Sequence, residues 1–118
     1  MKQDEHREQV FLFSWAAWAA TERPELALMF AVPNGGRRDA VTGKRLKDEG
    51  VKPGVPDIIL PVARGEYHGL FIELKAGAGR PSAEQRGWLA ALTAQGYRAE
   101  VCHGATAARA LIEEYLDD

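Results

Sequence analysis

The chain contains one cysteine, Cys102, so no disulfide can form within it. That fits a reducing compartment such as a cytosol. Histidine is nearly as sparse. His6, His68 and His103 stand far apart, with none of the HxH or HExxH spacings that hold zinc. Cys102 and His103 are neighbours, but adjacent residues of a strand face opposite sides, which argues against a Cys–His dyad. Cys102 reads instead as a small core residue. No apolar run is long enough to span a bilayer. The longest, VFLFSWAAWAA at 10–20, leads directly into Thr21-Glu22-Arg23-Pro24. The opening MKQDEHREQ is charged and lacks the apolar centre of a signal peptide. A cytoplasmic protein is therefore expected. PNGG at 33–36 lacks the lysine and the serine or threonine of a phosphate-binding P-loop, which disfavours a nucleotide cofactor. A net charge of −2 argues against a generic nucleic-acid coat protein.

What is present suits one domain over residues 1–118. The composition, 46% hydrophobic and 27% charged, is that of a globular chain able to bury a core without metal or disulfide staples. The charge is unevenly spread. Between Arg37 and Lys52 lie six basic residues (Arg37, Arg38, Lys44, Arg45, Lys47, Lys52) and three acidic ones, with Arg80 and Arg86 further on. Acids gather near the two ends, at Asp4, Glu5 and Glu8 and at Glu113, Glu114, Asp117 and Asp118. A local basic patch on a slightly acidic chain can grip phosphates, and it can equally be a solvated loop. The PNGG turn, with Asn34, offers backbone amides to a phosphate or simply reverses the chain.

Hydrophobic periodicity predicts a helix over 4–20, with Phe11, Trp15 and Trp18 at helical spacing, Leu12 beside them, and Pro24 closing the region. LALMFAVP (26–33) reads as a strand buried on both faces, although its leucine, alanine and methionine also suit a helix. The long connection from Arg37 to Gly54 has room for a short helix near 44–49, closed by Gly50. VPDIILPV (55–62) and part of EYHGLFIELKA (66–76) form two strands of an antiparallel hairpin turning at Arg64-Gly65-Glu66. A helix follows over 82–96, with a capping box between Ser82 and Gln85 and a stop at Gly96. Then come a strand over 97–103 and a helix over 106–116 whose apolar side carries Ala107, Leu111, Tyr115 and Ala108. The order α-β-β-β-α-β-α makes a mixed central sheet flanked by helices, an α/β (α+β) arrangement.

FIELKAG at 71–77 is the informative segment. Strand alternation puts Ile72 and Leu74 on one face and Phe71, Glu73 and Lys75 on the other, so an acid and a base share one space. Alone, the pair reads as a surface ion pair on a half-exposed strand. A hairpin turning at residue 65 sets Asp57 beside Glu73. Two adjacent carboxylates repel unless a cation lies between them, and an oxygen-rich site suits Mg²⁺ or Mn²⁺. Lys75 adds a positive charge able to orient a water and stabilise a crowded phosphoryl transition state.

Asp57 in the PD of 56–57, followed by the ELK of 73–75, resembles the PD-(D/E)XK nuclease signature. EHREQ, PNGGRR, RLKDEGVKPGVPDIILP, GLFIELKAGAGRPSAEQ and GYRAEV together resemble the VRR-NUC branch of that superfamily, in its small stand-alone form, over nearly the whole chain. The family's eponymous Val-Arg-Arg tripeptide is absent, and YRAEVCHG occupies the comparable strand. The resemblance implies a restriction-endonuclease-like fold and metal-dependent phosphodiester hydrolysis that leaves a 5′-phosphate. It implies Asp57, Glu73 and the Leu74 carbonyl as metal ligands, with Lys75 as the catalytic lysine. An acid of the first helix would complete the site: Glu8, or Glu5 one turn earlier. Gln85 would border the site, or serve only as a helix cap. It further implies a homodimer acting on branched DNA such as four-way junctions, in a bacterial or phage-infected cell. Asn34, Arg37, Arg38, Lys44, Arg45, Lys47, Lys52, Arg80 and Arg86 are the residues expected to hold the DNA backbone. Two other readings stand beside this one. A silent DNA-binding module would have no need of Asp57, Glu73 and Lys75. A restriction-type enzyme would need base-edge contacts for which so short a chain has few spare segments.

Overall fold

Why does so short a chain build a sheet that holds two acids rigidly? The computed structural model, which describes residues 3–33 and 40–118, shows the arrangement. Helix α1 (Gln3–Ala19) is followed by a 3-10 helix (Pro24–Leu28), strand β1 (Phe30–Ala31), helix α2 (Ala40–Asp48), strands β2 (Ile58–Leu60) and β3 (Leu70–Lys75), helix α3 (Ala83–Ala94), strand β4 (Arg98–His103) and helix α4 (Ala105–Leu116). The strands lie in the order β1-β2-β3-β4. The first two pairings are antiparallel and β3–β4 is parallel. The parallel crossover is α3, as a parallel pair requires.

The hairpin has the expected register. Ile58 pairs with Ile72 and Leu60 with Leu70, and the Arg64–Tyr67 bridge closes the turn. Gly65 sits there at φ +55, the left-handed region a glycine adopts without strain. Ile58, Leu60, Leu70, Ile72, Leu74 and Cys102 form the buried floor. Helices α1 and α4 cover it with Leu12 and Ala16, and with Ala108, Leu111, Ile112, Tyr115 and Leu116. The Tyr115 hydroxyl donates to the Val62 carbonyl at 2.6 Å, tying α4 to the end of the hairpin strand. Helix α3 lies against the opposite face, the face of Glu73.

Four expectations need correction. The strand expected over 26–33 opens instead with the end of a 3-10 turn, Pro24–Leu28, whose first-position proline favours helical φ; beyond it only Phe30 and Ala31 pair. Phe30 is exposed rather than buried. The strand expected over 55–62 is only Ile58–Leu60, since Pro56 and Pro61 have no N–H to give a ladder. On α1 the core face is Leu12 and Ala16, whereas Phe11 and Trp18 are 75% and 70% exposed and Trp15 is half-buried. The aromatic stripe is therefore an outer face. On α4, Ala107 is exposed and Ile112 takes the place expected for it. The short helix expected near 44–49 exists as α2, beginning a turn earlier, with Gly50 at φ +98 just beyond it.

Candidate active site

Asp57 and Glu73 are the buried acids of the chain's described residues, at 5% and 1% exposure. Asp57 stands just before β2 and Glu73 lies in β3, one residue beyond the antiparallel Ile58–Ile72 pair. The Asp57 carboxylate accepts from the Leu74 N–H at 2.9 Å. Glu73 Oε2 accepts from the Gln85 side-chain amide at 3.0 Å and lies 3.5 Å from the Lys75 ammonium. Its other oxygen, Oε1, is buried with no hydrogen-bond partner. Burial, and next the charge of Asp57, push the Glu73 carboxyl up to about 8, against the pull of Lys75. Burial likewise raises Asp57, although the Leu74 N–H, a hydrogen bond with the Glu73 carboxyl and then Lys75 hold it down. Two acids in one dry space thus compete for one lysine.

Gln85 occupies both roles that its position in the sequence allows. Ser82 accepts from the Gln85 backbone N–H at 3.1 Å, and Gln85 Oε1 accepts from the Ser82 N–H at 2.7 Å, completing the capping box. With its oxygen used by the cap, the amide can offer only its NH₂ to Glu73. The capping box therefore sets which way round the amide faces the acid.

The first-helix acids separate. Glu8 turns to α4, where its Oε1 accepts from the Ala105 N–H at 2.7 Å. Gly104 precedes that helix and has no side chain to cap it. The glycine in HGATAAR, standing where serine or aspartate usually caps, was the available signal. Glu5 is the first-helix acid whose charge bears on Asp57, raising it. Among the described residues, no three His, Cys, Asp or Glu side chains gather in a group able to hold a metal ion. The buried acid pair and Lys75 are what the chain brings together.

Of the residues expected to hold DNA, Asn34, Arg37 and Arg38 lie outside the described residues. Lys44, Arg45 and Lys47 are exposed on α2, where Lys44 pairs with Asp48 at 2.9 Å. Lys52, Arg80 and Arg86 are exposed, and Arg86 donates to the Pro81 carbonyl at 2.8 Å. Burial drives the Cys102 thiol up to about 11, which leaves it an inert core group. His103 pairs across the sheet with Lys75, and its Nδ1 lies 3.0 Å from the Gly77 carbonyl. No helix among the described residues is long and apolar enough to cross a membrane.

Comparison with known proteins bears on the fold and the family. The family model of the VRR-NUC domain matches residues 15–106. A solved structure described as a "VRR_NUC domain protein" superposes with a TM-score of 0.81 at 27% identity, covering 99% of this chain and 91% of that one. No curated protein was found similar in sequence. VRR-NUC domains are nuclease domains and generally depend on a divalent metal. A buried acid pair beside a lysine, on a four-stranded mixed sheet that superposes on such a structure, places this chain in the VRR-NUC nuclease-domain family.

Proposed function

We propose that this chain, as one domain over residues 1–118, is a Mg²⁺- or Mn²⁺-dependent endodeoxyribonuclease that cuts branched DNA such as four-way junctions. The observation that carries the reading is the buried Asp57–Glu73 pair, with Glu73 Oε1 lacking any donor and Lys75 3.5 Å from the same carboxyl. An oxygen pair of this kind, short of positive charge, fits a hard divalent cation. Asp57, Glu73 and the Leu74 carbonyl would hold it, and when bound it supplies Lewis acidity for a phosphate oxygen and a water.

The protein's own residues do the rest. Glu73 must give up its raised proton before it can serve as a ligand. Gln85 keeps Oε2 occupied and so leaves Oε1 as the open atom. Lys75, its side chain only 12% exposed, is held by Glu73 with its ammonium at the site, where it stabilises charge developing on a phosphate. Glu5 is the first-helix acid assigned to the site, since Glu8 is engaged by α4. Lys44, Arg45, Lys47, Lys52, Arg80 and Arg86, together with Asn34, Arg37 and Arg38, hold the backbone of the DNA. Contacts to phosphate carry no base sequence, which supports preference for structure. The exposed Phe11 and Trp18 on α1 support a homodimer.

The test is cleavage of a labelled four-way junction, a matched duplex and a single strand with Mg²⁺, Mn²⁺ or EDTA, with Lys75→Ala alongside. Metal-dependent cutting of the junction, lost in the variant while binding persists, is the expected result. Binding without cutting under either metal would instead make this a silent DNA-binding module. A strict recognition sequence in the cut sites would make it a restriction-type enzyme.

A further inference from the structure

Helix α3 carries Gln85 to the acid pair, yet it contains no fully buried residue. It packs on β4 through half-buried side chains, not through a sealed core. Two specific ties hold its first turns, and both run to the loop that delivers Asp57. Gly54 lies at φ +89, and a Cβ there would come within 2.8 Å of the Glu84 carbonyl carbon. The loop backbone thus touches the α3 backbone at a spot where only glycine fits. The Trp88 indole N–H donates to the Pro53 carbonyl at 3.0 Å. An open groove of about 490 Å³ lies at this same junction, lined by Lys52, Pro53, Glu84, Gly87, Trp88 and Ala91. Close packing does not fill the junction, and these two contacts bridge loop and helix across it.

The contacts close a ring. Gly54 leads in three residues to Asp57, Asp57 accepts from Leu74 N–H beside Glu73, and Glu73 accepts from Gln85. Gln85 lies between Glu84 and Trp88, which return to Gly54 and Pro53. We propose that Gly54 and Trp88 are positioning residues, a clamp that holds the Gln85 amide on Glu73 by fixing the first turns of α3 against the Pro53–Gly54 loop. The effect on rate rests on the nuclease reading above, while the effect on Gln85 does not.

The experiment uses Trp88→Phe, which keeps a ring in place and removes the donor. Two measurements are made on the full chain. The first is single-turnover cleavage of a four-way junction, in the wild-type and Gln85→Ala backgrounds. Loss of one neutral hydrogen bond predicts a fall of about fivefold in the cleavage rate with DNA affinity unchanged. Because the clamp acts through Gln85, W88F should lose nothing further in the Q85A background. The second is the NMR signal of the Gln85 side-chain NH₂, expected to be slow in solvent exchange in the wild type and to move toward a free amide in W88F. An equal loss in both backgrounds, a loss confined to DNA affinity, or an unmoved Gln85 signal overturns the proposal. Should W88F not fold, 3-benzothienylalanine at position 88 keeps the bicyclic shape without the N–H and is read in the same way. If the wild type cuts no DNA, the nuclease reading fails by itself and the Gln85 signal still decides the clamp.

Discussion

Removing the charge of Glu73 should stabilise the metal-free protein, and only at high pH. Burial and then the neighbouring Asp57 raise the Glu73 carboxyl from its ordinary 4.5 to about 8. Each tenfold change in proton affinity corresponds to about 1.4 kcal/mol. Between those two values the folded chain holds a proton that the unfolded chain has released. Stability therefore falls as pH rises through that window, and changes little with Glu73 below it. Above pH 8 the ionised side chain makes the fold less stable by about 5 kcal/mol than an unperturbed glutamate would; at pH 5 the difference is under about 1 kcal/mol. Glu73→Gln is neutral throughout and keeps a group of the same shape. It loses the 3.5 Å pair with Lys75, an attraction already contained in the net rise. The variant should thus exceed the wild type by about 3–5 kcal/mol at pH 8.5 in EDTA, and match it near pH 5. For a chain of this size that is roughly 10–20 °C in Tm, read by circular dichroism at pH 5, 6.5 and 8.5. A Glu73→Gln variant less stable than the wild type at pH 8.5, or ahead by the same margin at every pH, would refute the account of a frustrated acid pair.

The same logic makes Mg²⁺ or Mn²⁺ raise the wild-type Tm more at pH 8 than at pH 6, because the cation competes with a proton, and leave the Glu73→Gln variant unmoved in calorimetric scans. Lys75→Ala should abolish cleavage while DNA binding by fluorescence anisotropy persists; joint loss of both would make Lys75 a binding residue. The two first-helix acids should separate cleanly. Glu8→Ala should cost about 0.5–2 kcal/mol in chemical denaturation through loss of the α4 cap, whereas Glu5→Gln should lower activity with little change in stability. Tyr115→Phe should cost about 1 kcal/mol in the same denaturation assay, by removing the buried 2.6 Å bond to the Val62 carbonyl.

The acid pair was open to sequence reading because the forces that place it are local. Gly65 sets the turn, alternation sets the faces, and together they bring Asp57 beside Glu73 without knowledge of anything else in the fold. The capping box was readable for the same reason, since Ser82 and Gln85 are three residues apart. What escaped were choices made across the fold. Aromatic residues at helical spacing on α1 suggested its core face, but α4 and β3 needed the small, close-fitting face of Leu12 and Ala16, and Phe11 and Trp18 were left outside. Glu8 sits beside the apolar stripe as a site acid should. Its partner is an uncapped helix 97 residues further along the chain, and only the glycine at 104 hints at that need. The 26–33 segment likewise has strand composition, but Pro24, two residues before it, opens a helical turn that runs on to Leu28.

The case of Glu8 bears on mechanism. A polar side chain near a site is claimed by whichever unsatisfied partner is closest, and the atom so used is no longer open. Glu8 is spent on Ala105 and the oxygen of Gln85 on Ser82. Glu73 Oε1 is different: it is buried with no hydrogen-bond partner among the described residues, in a carboxyl that stands against Asp57. An orphaned carboxylate oxygen beside a second acid is unfavourable for the folded protein alone. Its persistence is understandable if the missing partner is supplied from outside. The instability expected of the metal-free wild type at high pH and the metal affinity expected at the same pH are then two measurements of one deficit. They should disappear together in Glu73→Gln; if one survives without the other, the acid pair is not the seat of both.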